Sequence, residues 1–419
     1  MDKLLIEGGH RLHGEVKISG AKNSVLAIMP AAILAEGPCI INNIPNIADV
    51  KYVRTMLEHL GAEITQLSED CISIDTTNVR LHSLDLPIVS KMRASYYFIG
   101  ALLARFGEAT LPYPGGCEIG ARPIDLHKKG LETLGAKFEI KHGIINVKAE
   151  KLKGARIYFD VISVGATINL MISSVKAEGQ TIIENAAKEP YIVDTANFLN
   201  AMGAKIVGAG TDTIRIVGVA ALHKCEHTII PDQMEAGTYM IAAAATKGDV
   251  TLINVIPSHL EAISAKLSEM GVGIEEHEDS IRVFCDQRTK CTNIKTMPYP
   301  GFPTDMQQPM SVLLAISKGT SLVTENIFES RFKYLNELQR MGAIINNEGQ
   351  IAVIEGVEEL SGAPVYSHDL RAGAALVVAG LVAEGETSIE NISHIDRGYE
   401  KLEEKLAKLG ANIRRVAIV

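Results

Sequence analysis

Two short phrases recur six times along the 419-residue chain, and this repetition limits the fold more than any other feature. The first phrase joins a helix-like run to a small polar-Gly turn and an apolar stretch, often ending in Asn. Its copies are AEGPCIINN, RFGEATLPY, AEGQTIIEN, TKGDVTLIN, SKGTSLVTEN and AEGETSIEN. Their glycines, Gly37, Gly107, Gly179, Gly248, Gly319 and Gly385, stand 70, 72, 69, 71 and 66 residues apart. The second phrase reads LEHLGAEI, LETLGAKF, LNAMGAKI, LSEMGVGI, LQRMGAII and LAKLGANI, with Gly61, Gly135, Gly203, Gly271, Gly342 and Gly410. Each copy describes an amphipathic helix stopped by a Gly C-cap, with a strand after it. Two phrases in one register define a single unit: helix, Gly turn, strand, second helix, Gly cap, strands.

The helix ahead of each turn is apolar nearly all round, as in SVLAIMPAAIL, YYFIGALLA, TINLMISSV, YMIAAAA, MSVLLAIS and GAALVVAGL. A helix with no polar face is buried. The expected fold is therefore α/β of an inside-out kind, a two-domain inverse α/β barrel with helices within and sheets outside. Six units exceed what one core holds, which favours two domains of three units each. The crossing is expected in AALHKCEHTIIP, residues 220–231. Hydrophobic residues make up 47% of the chain but there is no Trp, so the cores must be aliphatic.

A net charge of −9 argues against general nucleic-acid binding, though a local cationic cluster still suits an anionic small molecule. The opening MDKLLIEGGHRLHGEV reads as neither signal peptide nor membrane span, and AGAALVVAGLVAEG is too short to cross a bilayer. Six cysteines are scattered without a CxxC pair, which fits reduced thiols in the cytoplasm. Cys39, Cys71 and Cys285 are expected to be small buried hydrophobes. His223, Cys225 and His227 alternate like ligands, but strand alternation in a linker aligns them equally well, and no metal or cofactor is expected.

Repeats reveal function where their copies differ. Fourteen residues before the turn glycines stand Asn23, Arg93, Gly165, Met234, Asp305 and Arg371, with Lys22, Ser163, Asp232 and Asp369 close by. These positions fall at the starts of the buried helices, where free N–H groups and the positive dipole end favour anions. Helix capping is the competing explanation for Asn, Asp and Ser. It does not explain Lys22, Arg93 and Arg371, because a cation opposes the dipole there. Twelve residues after the turn glycines, the fifth and sixth copies carry Arg331 and Arg397 in matching register. The two marker glycines of the second copy stand 28 residues apart against 23 to 25 elsewhere, and the excess falls in PYPGGCEIGARPIDLH. A thiol on such a Gly-rich loop, Cys117, with Arg122 and Lys22 nearby, would be acidified and reactive.

The stretches ISGAKNS (18–24), KMRAS (91–95), PGGCEIGARPIDLH (114–127), SVGAT (163–167), ENAAKEPYIVDTANFL (184–199), PDQMEAGTYM (231–240), GFPTDMQQP (301–309), IFESRF (327–332) and DLRAGAALV (369–377) together resemble the enolpyruvyl transferases that act on UDP-N-acetylglucosamine. The resemblance covers essentially the whole chain. It implies one discontinuous domain, 1–21 with 230–419, and one inserted domain, 22–229. It implies transfer of the enolpyruvyl group of phosphoenolpyruvate to the sugar 3-hydroxyl, with release of phosphate, as the first committed step of peptidoglycan precursor synthesis. On this resemblance Cys117 is the general acid, able also to form a covalent adduct and to be labelled by fosfomycin-type epoxides. Asp305 is the base, Asp369 an active-site carboxylate and Asn23 a ligand contact. Lys22, Arg122 and Arg397 serve phosphoenolpyruvate, with Arg93, Arg331 and Arg371 completing the cationic set. Arg122, Pro123, Ile124, Asp125 and Leu126, with Ser163, Val164 and Gly165, match the nucleotide-sugar subsite, and Ile327 a backbone contact to it. One departure is Val161, where some members carry a Lys facing the diphosphate. Two rival readings are a shikimate 3-phosphate transferase on the same scaffold, which lacks the Cys loop, and an idle paralogue that only binds the nucleotide sugar.

Overall fold

The computed structural model describes residues 2–80, 83–115, 119–120 and 123–418. Six core helices stand at the repeat positions: α1 (Lys22–Ala31), α2 (Tyr97–Phe106), α3 (Val164–Ser174), α4 (Gln233–Ala245), α5 (Gln307–Ala315) and α6 (Leu370–Val382). Burial follows from their composition. Every residue from Gly165 to Ser174 is buried, and so is every residue from Leu370 to Leu381. The sheets alternate buried and exposed positions, as in Ile351–Glu355 and Arg156–Tyr158, so each turns one face to a core. This is the inside-out α/β arrangement expected from the repeats. Truncating one fully buried side chain, such as Leu376 to Ala, should cost about 2–5 kcal/mol.

The chain divides into two compact units. One gathers the residues up to Ser19, Ile119 with Gly120, and everything from Pro231 onward; the rest of 20–230 forms the other. Each has its own aliphatic core, with Phe98, Phe159 and Phe198 in the inserted unit and Tyr239 and Tyr334 in the discontinuous one.

Five of the six sheets share one plan. The strand after the turn lies between a parallel strand on one side and an antiparallel pair of strands on the other. In the fourth copy His13–Lys17 runs parallel to Asp249–Ile253, which pairs with Ser280–Phe284 and through it with Gly273–Glu276. The first copy borrows its parallel strand from beyond the third: Glu226–Thr228 lies beside Cys39–Asn42. The sixth copy borrows more. Asp2–Glu7 sits between Glu386–Glu390 and Asn412–Ala417. The second copy has three strands, Glu108–Pro112, Ile144–Lys148 and Lys137–Lys141, and lacks the parallel partner among the described residues.

The terminal Asn of the first phrase has a physical role. Asn43, Asn185, Asn254 and Asn391 all take positive φ, between 54° and 59°. Each side-chain amide donates to the carbonyl at the end of the parallel strand: Ile229, Phe159, Ile18 and Ser367, at 2.7–3.1 Å. Asn tolerates the left-handed conformation and carries the donor that ties the crossover strand in place.

All six cap glycines are left-handed, with φ from 90° to 102°. The turn glycines follow suit except in the fourth copy. There Lys247 takes the positive φ, at 53°, and Gly248 does not. Gly248 is needed for space instead, since a Cβ there would lie 2.3 Å from the Leu12 carbonyl. Cys39 and Cys285 are buried as expected, but Cys71 is half-buried, because it opens the strand Cys71–Asp75 at a position that alternation turns away from the core.

Candidate functional site

The register that singled out six helix starts is correct to within a turn. Asn23, Gly165, Met234 and Arg371 are the second residues of α1, α3, α4 and α6. Arg93 and Asp305 instead occupy short 3-10 turns, Arg93–Tyr96 and Thr304–Met306, that lead into α2 and α5. Capping accounts for three of the neighbouring polar side chains. Ser163 accepts from Ala166 N at 3.3 Å, Asp232 from Met234 N and Glu235 N at 2.8 and 3.0 Å, and Asp369 from Arg371 N and Ala372 N, both at 2.9 Å.

In the discontinuous unit, Asp305 joins two buried cations. Arg331 Nη2 donates to its Oδ1 at 2.7 Å and Arg371 Nε to its Oδ2 at 3.0 Å. The two arginine side chains are 3% exposed and the aspartate 26%, so the carboxylate is the wet face of the cluster. Burial works against the Asp305 charge, but Arg331 and Arg371 together outweigh it and hold the carboxyl well below its usual range. Burial likewise opposes the Arg371 charge, and Tyr399, Asp305 and Asp232 keep it firmly protonated. The Tyr399 ring lies 5.2 Å from the Arg371 guanidinium and its hydroxyl shares a hydrogen bond with Thr238 Oγ1 at 2.8 Å. Arg331 lies 5.3 Å over Phe328 and donates to Thr304 Oγ1 at 3.1 Å. Even so, Arg331 Nε and Arg371 Nη1 are buried without an acceptor among the described residues. An unmet guanidinium N–H is costly, and an anionic group is the partner that best relieves it. Arg397 closes the short helix Ser393–Asp396, two residues before Tyr399. Ile327 N donates to Glu325 Oε1 at 2.7 Å.

The inserted unit builds a different kind of site. Lys22, 14% exposed, lies 3.5 Å from the buried carboxylate of Asp49, and Asn23 is half-buried. Arg93 donates to the Pro114 carbonyl at 3.2 Å, with its guanidinium 5.9 Å from the Tyr96 ring. Tyr96 also stacks on His127, centroids 4.5 Å apart. Both reach the start of α3: a Cβ on Gly165 would lie 2.4 Å from Tyr96 Oη and 3.2 Å from His127 Nε2. Burial, and then the charge of Arg93, lower the His127 pKa to about 3. The ring is therefore neutral, with Nδ1 accepting from Asn169 Nδ2 at 3.0 Å and the proton on Nε2. Ile124 and Leu126 are buried, Pro123 and Asp125 exposed, at the head of the helix Asp125–Thr133. Val164 is half-buried, and Val161 stands 63% exposed. The structure thus brings Tyr96 and His127 to Gly165, with Arg93 beside Tyr96, and Asp305 to Arg331 and Arg371. Cys117 and Arg122 lie outside the described residues.

Sequence reasoning missed Tyr96, His127, Thr304, Glu325 and Tyr399. Thr304 and His127 fell inside recognised motifs, Tyr96 opened a core-helix stretch and Glu325 broke the repeat, so four of these left a trace. No group of His, Cys, Asp and Glu suited to a metal occurs among the described residues, and none of their helices is long and apolar enough to cross a membrane. His227 Nε2 instead bonds Asp194 Oδ1 at 2.8 Å.

The profile of the family described as EPSP synthase (3-phosphoshikimate 1-carboxyvinyltransferase) matches residues 6–406. The chain is 59% identical to UDP-N-acetylglucosamine 1-carboxyvinyltransferase 3 of Caldanaerobacter subterraneus, over 99% of this chain and 100% of the relative. It is 58% identical to UDP-N-acetylglucosamine 1-carboxyvinyltransferase 2 of Clostridium acetobutylicum, over 100% of both. Among solved structures, the enolpyruvyl transferase NikO from Streptomyces tendae superposes with a TM-score of 0.90 at 25% identity, over 99% of each chain. EPSP synthase from Acinetobacter baumannii gives 0.79 at 18% identity over the whole of both chains, a likeness of fold alone. Six repeated units, two compact halves and full-length matches on every side lead to one conclusion: the chain belongs to the enolpyruvyl transferase family typified by EPSP synthase.

Proposed function

We propose that the chain transfers the enolpyruvyl group of phosphoenolpyruvate to the 3-hydroxyl of UDP-N-acetylglucosamine, releasing phosphate, as a cytoplasmic step of peptidoglycan precursor synthesis. The observation that carries this reading is identity of 58–59% with relatives of that name across the full chain. In the reaction the sugar oxygen bonds to C2 of phosphoenolpyruvate while C3 takes a proton. C3 then returns a proton, the C2–O bond to phosphate breaks, and the double bond reforms. Both substrates are anions, and the two guanidinium N–H groups left without acceptors support their capture at Arg331 and Arg371.

The aspartate then changes character. Held by both arginines it is a poor base. An incoming anion competes for those same donors, loosens their grip on Asp305 and raises its proton affinity toward the sugar hydroxyl. Cys117 supplies the proton to C3 in this reading. Lys22, Arg122 and Arg397 hold phosphoenolpyruvate, Asn23 touches ligand, and Asp369 organises the intermediate with the carboxylate oxygen not used in capping. The nucleotide sugar takes residues 122–126 and Ser163–Gly165. The Ile327 N–H is bound to Glu325, so its contact to the sugar nucleotide falls to its carbonyl.

The test is phosphate release measured with the two substrates together and separately. Release should require both. Release only when shikimate 3-phosphate replaces the nucleotide sugar would overturn the acceptor, and tight binding of the nucleotide sugar without turnover would overturn the transfer.

A further inference from the structure

The fifth copy breaks the repeat where the others are most alike. Six residues after the turn glycine, four copies place the left-handed Asn that ties down the parallel strand. The fifth places Glu325 there, outside the left-handed region, and passes the tie to the next residue: Asn326 Nδ2 donates to the Thr296 carbonyl at 3.0 Å. The displaced tie leaves position 325 available for another task. The residue is 1% exposed, and four donors converge on its carboxylate. Oε1 accepts from Thr296 Oγ1 at 2.9 Å, Ile327 N at 2.7 Å and Phe328 N at 3.1 Å, and Oε2 from Thr304 Oγ1 at 2.8 Å. Two carboxylate oxygens that only accept are what four donors require.

Three of those four contacts lead toward the site. Thr304 spends its proton on Glu325, so its oxygen is turned to accept from Arg331 Nη1 at 3.1 Å, and it directly precedes Asp305. The grip on Ile327 N and Phe328 N fixes the backbone of the segment whose Phe328 ring lies under the Arg331 guanidinium. A carboxylate that merely ended a strand would need neither.

We propose that Glu325 is a positioning residue for the transfer. It orients Arg331 through Thr304 and sets the 327–328 backbone for the nucleotide sugar. This rests on the roles of Asp305, Arg331 and Ile327 given above.

Glu325→Gln keeps the shape but loses the charge and one acceptor, leaving Thr304 without a fixed recipient for its proton. It should lower kcat about tenfold and raise KM and Kd for UDP-N-acetylglucosamine by a similar factor, as small misplacements near the chemistry do. The KM for phosphoenolpyruvate should move less. Thr304→Val should reproduce the kcat loss, and the double variant should be no worse than the poorer single one, because the two act in series. Asn254→Gly removes the ordinary tie in the fourth copy and should reduce thermal stability with kcat and KM unchanged. Kinetic constants and Kd of folded Glu325→Gln equal to wild type would overturn the proposal, whatever its melting temperature. Should Glu325→Gln fail to fold, Thr304→Val decides: normal kcat refutes the proposal and a tenfold loss supports it. If the wild type binds the nucleotide sugar by calorimetry but releases no phosphate, the transferase reading fails while Kd still judges Glu325. If the wild type does not bind it, both fall.

Discussion

The two polar clusters at the helix starts solve opposite problems. Around Asp305 the groups are charged and mutually paired, two buried guanidinium groups holding one partly exposed carboxylate, with donors to spare. Around Gly165 the groups are neutral: a buried histidine kept unprotonated, a half-buried tyrosine and a buried amide, fitted so closely that a side chain at 165 would have to displace them. The first arrangement suits handling negative charge and moving a proton. The second suits recognition by shape and hydrogen bonds. One fold holds both because the repeat delivers a helix start to each place and leaves the residues there free to differ.

Asp305→Asn should have the largest effect. The shape survives, but the base is lost and the two guanidinium groups keep their charge. Phosphate release should fall by about 10²–10⁴-fold, the usual contribution of a positioned acid or base. Binding of the nucleotide sugar should persist, and a loss confined to KM would reassign Asp305 to binding alone.

Gly165→Ala probes the other cluster. The new methyl meets Tyr96 Oη at 2.4 Å, so overpacking should destabilise the unit by about 1–3 kcal/mol in urea unfolding. The KM for the nucleotide sugar should rise while that for phosphoenolpyruvate holds. Unchanged stability would mean that Tyr96 yields freely and that the fit is not strict.

The smallest effect separates the clusters by pH. His127 has a folded pKa of about 3 against an ordinary 6.5, so below pH 6.5 the unfolded chain takes up a proton that the fold refuses. Its contribution is complete above that pH and shrinks as pH falls toward 3. The wild type should lose about 0.7 kcal/mol relative to His127→Gln between pH 7 and pH 6. The Asp305 carboxyl is also depressed from its ordinary 3.8, but as an acid it supplies stability above that value and loses it only below. Parallel pH profiles of wild type and His127→Gln would mean that the folded ring takes up its proton as readily as the unfolded one, and would erase the contrast.

The repeat was legible because its signals are local. A Gly C-cap and an all-apolar helix declare themselves within a dozen residues, and the helix starts could be counted from them. Arg371 and Asp305 stood out because a cation at a helix start and a change of charge within one register position are visible in one dimension. That they pair with each other was not visible, since 66 residues separate them. His127 was hidden for the same reason: its protonation depends on burial against Tyr96 and on Arg93, both distant in sequence. Gly248 shows a subtler limit. The residue matched the pattern, but it serves close approach to Leu12, and the backbone twist belongs to Lys247. Glu325 was printed in the fifth phrase, yet only its four converging donors give the departure a meaning.

The strand Asp2–Glu7 lies between segments drawn from the far end of the chain. A ribosome makes this first piece long before either flank exists, so it must wait, unpaired, through some four hundred further additions. The half between Gly20 and Ile230 meets no such delay, because Glu226–Thr228 finishes its opening sheet from within. Birth order and assembly order therefore run against each other: the middle of the polypeptide can settle first, and its two ends close last, together.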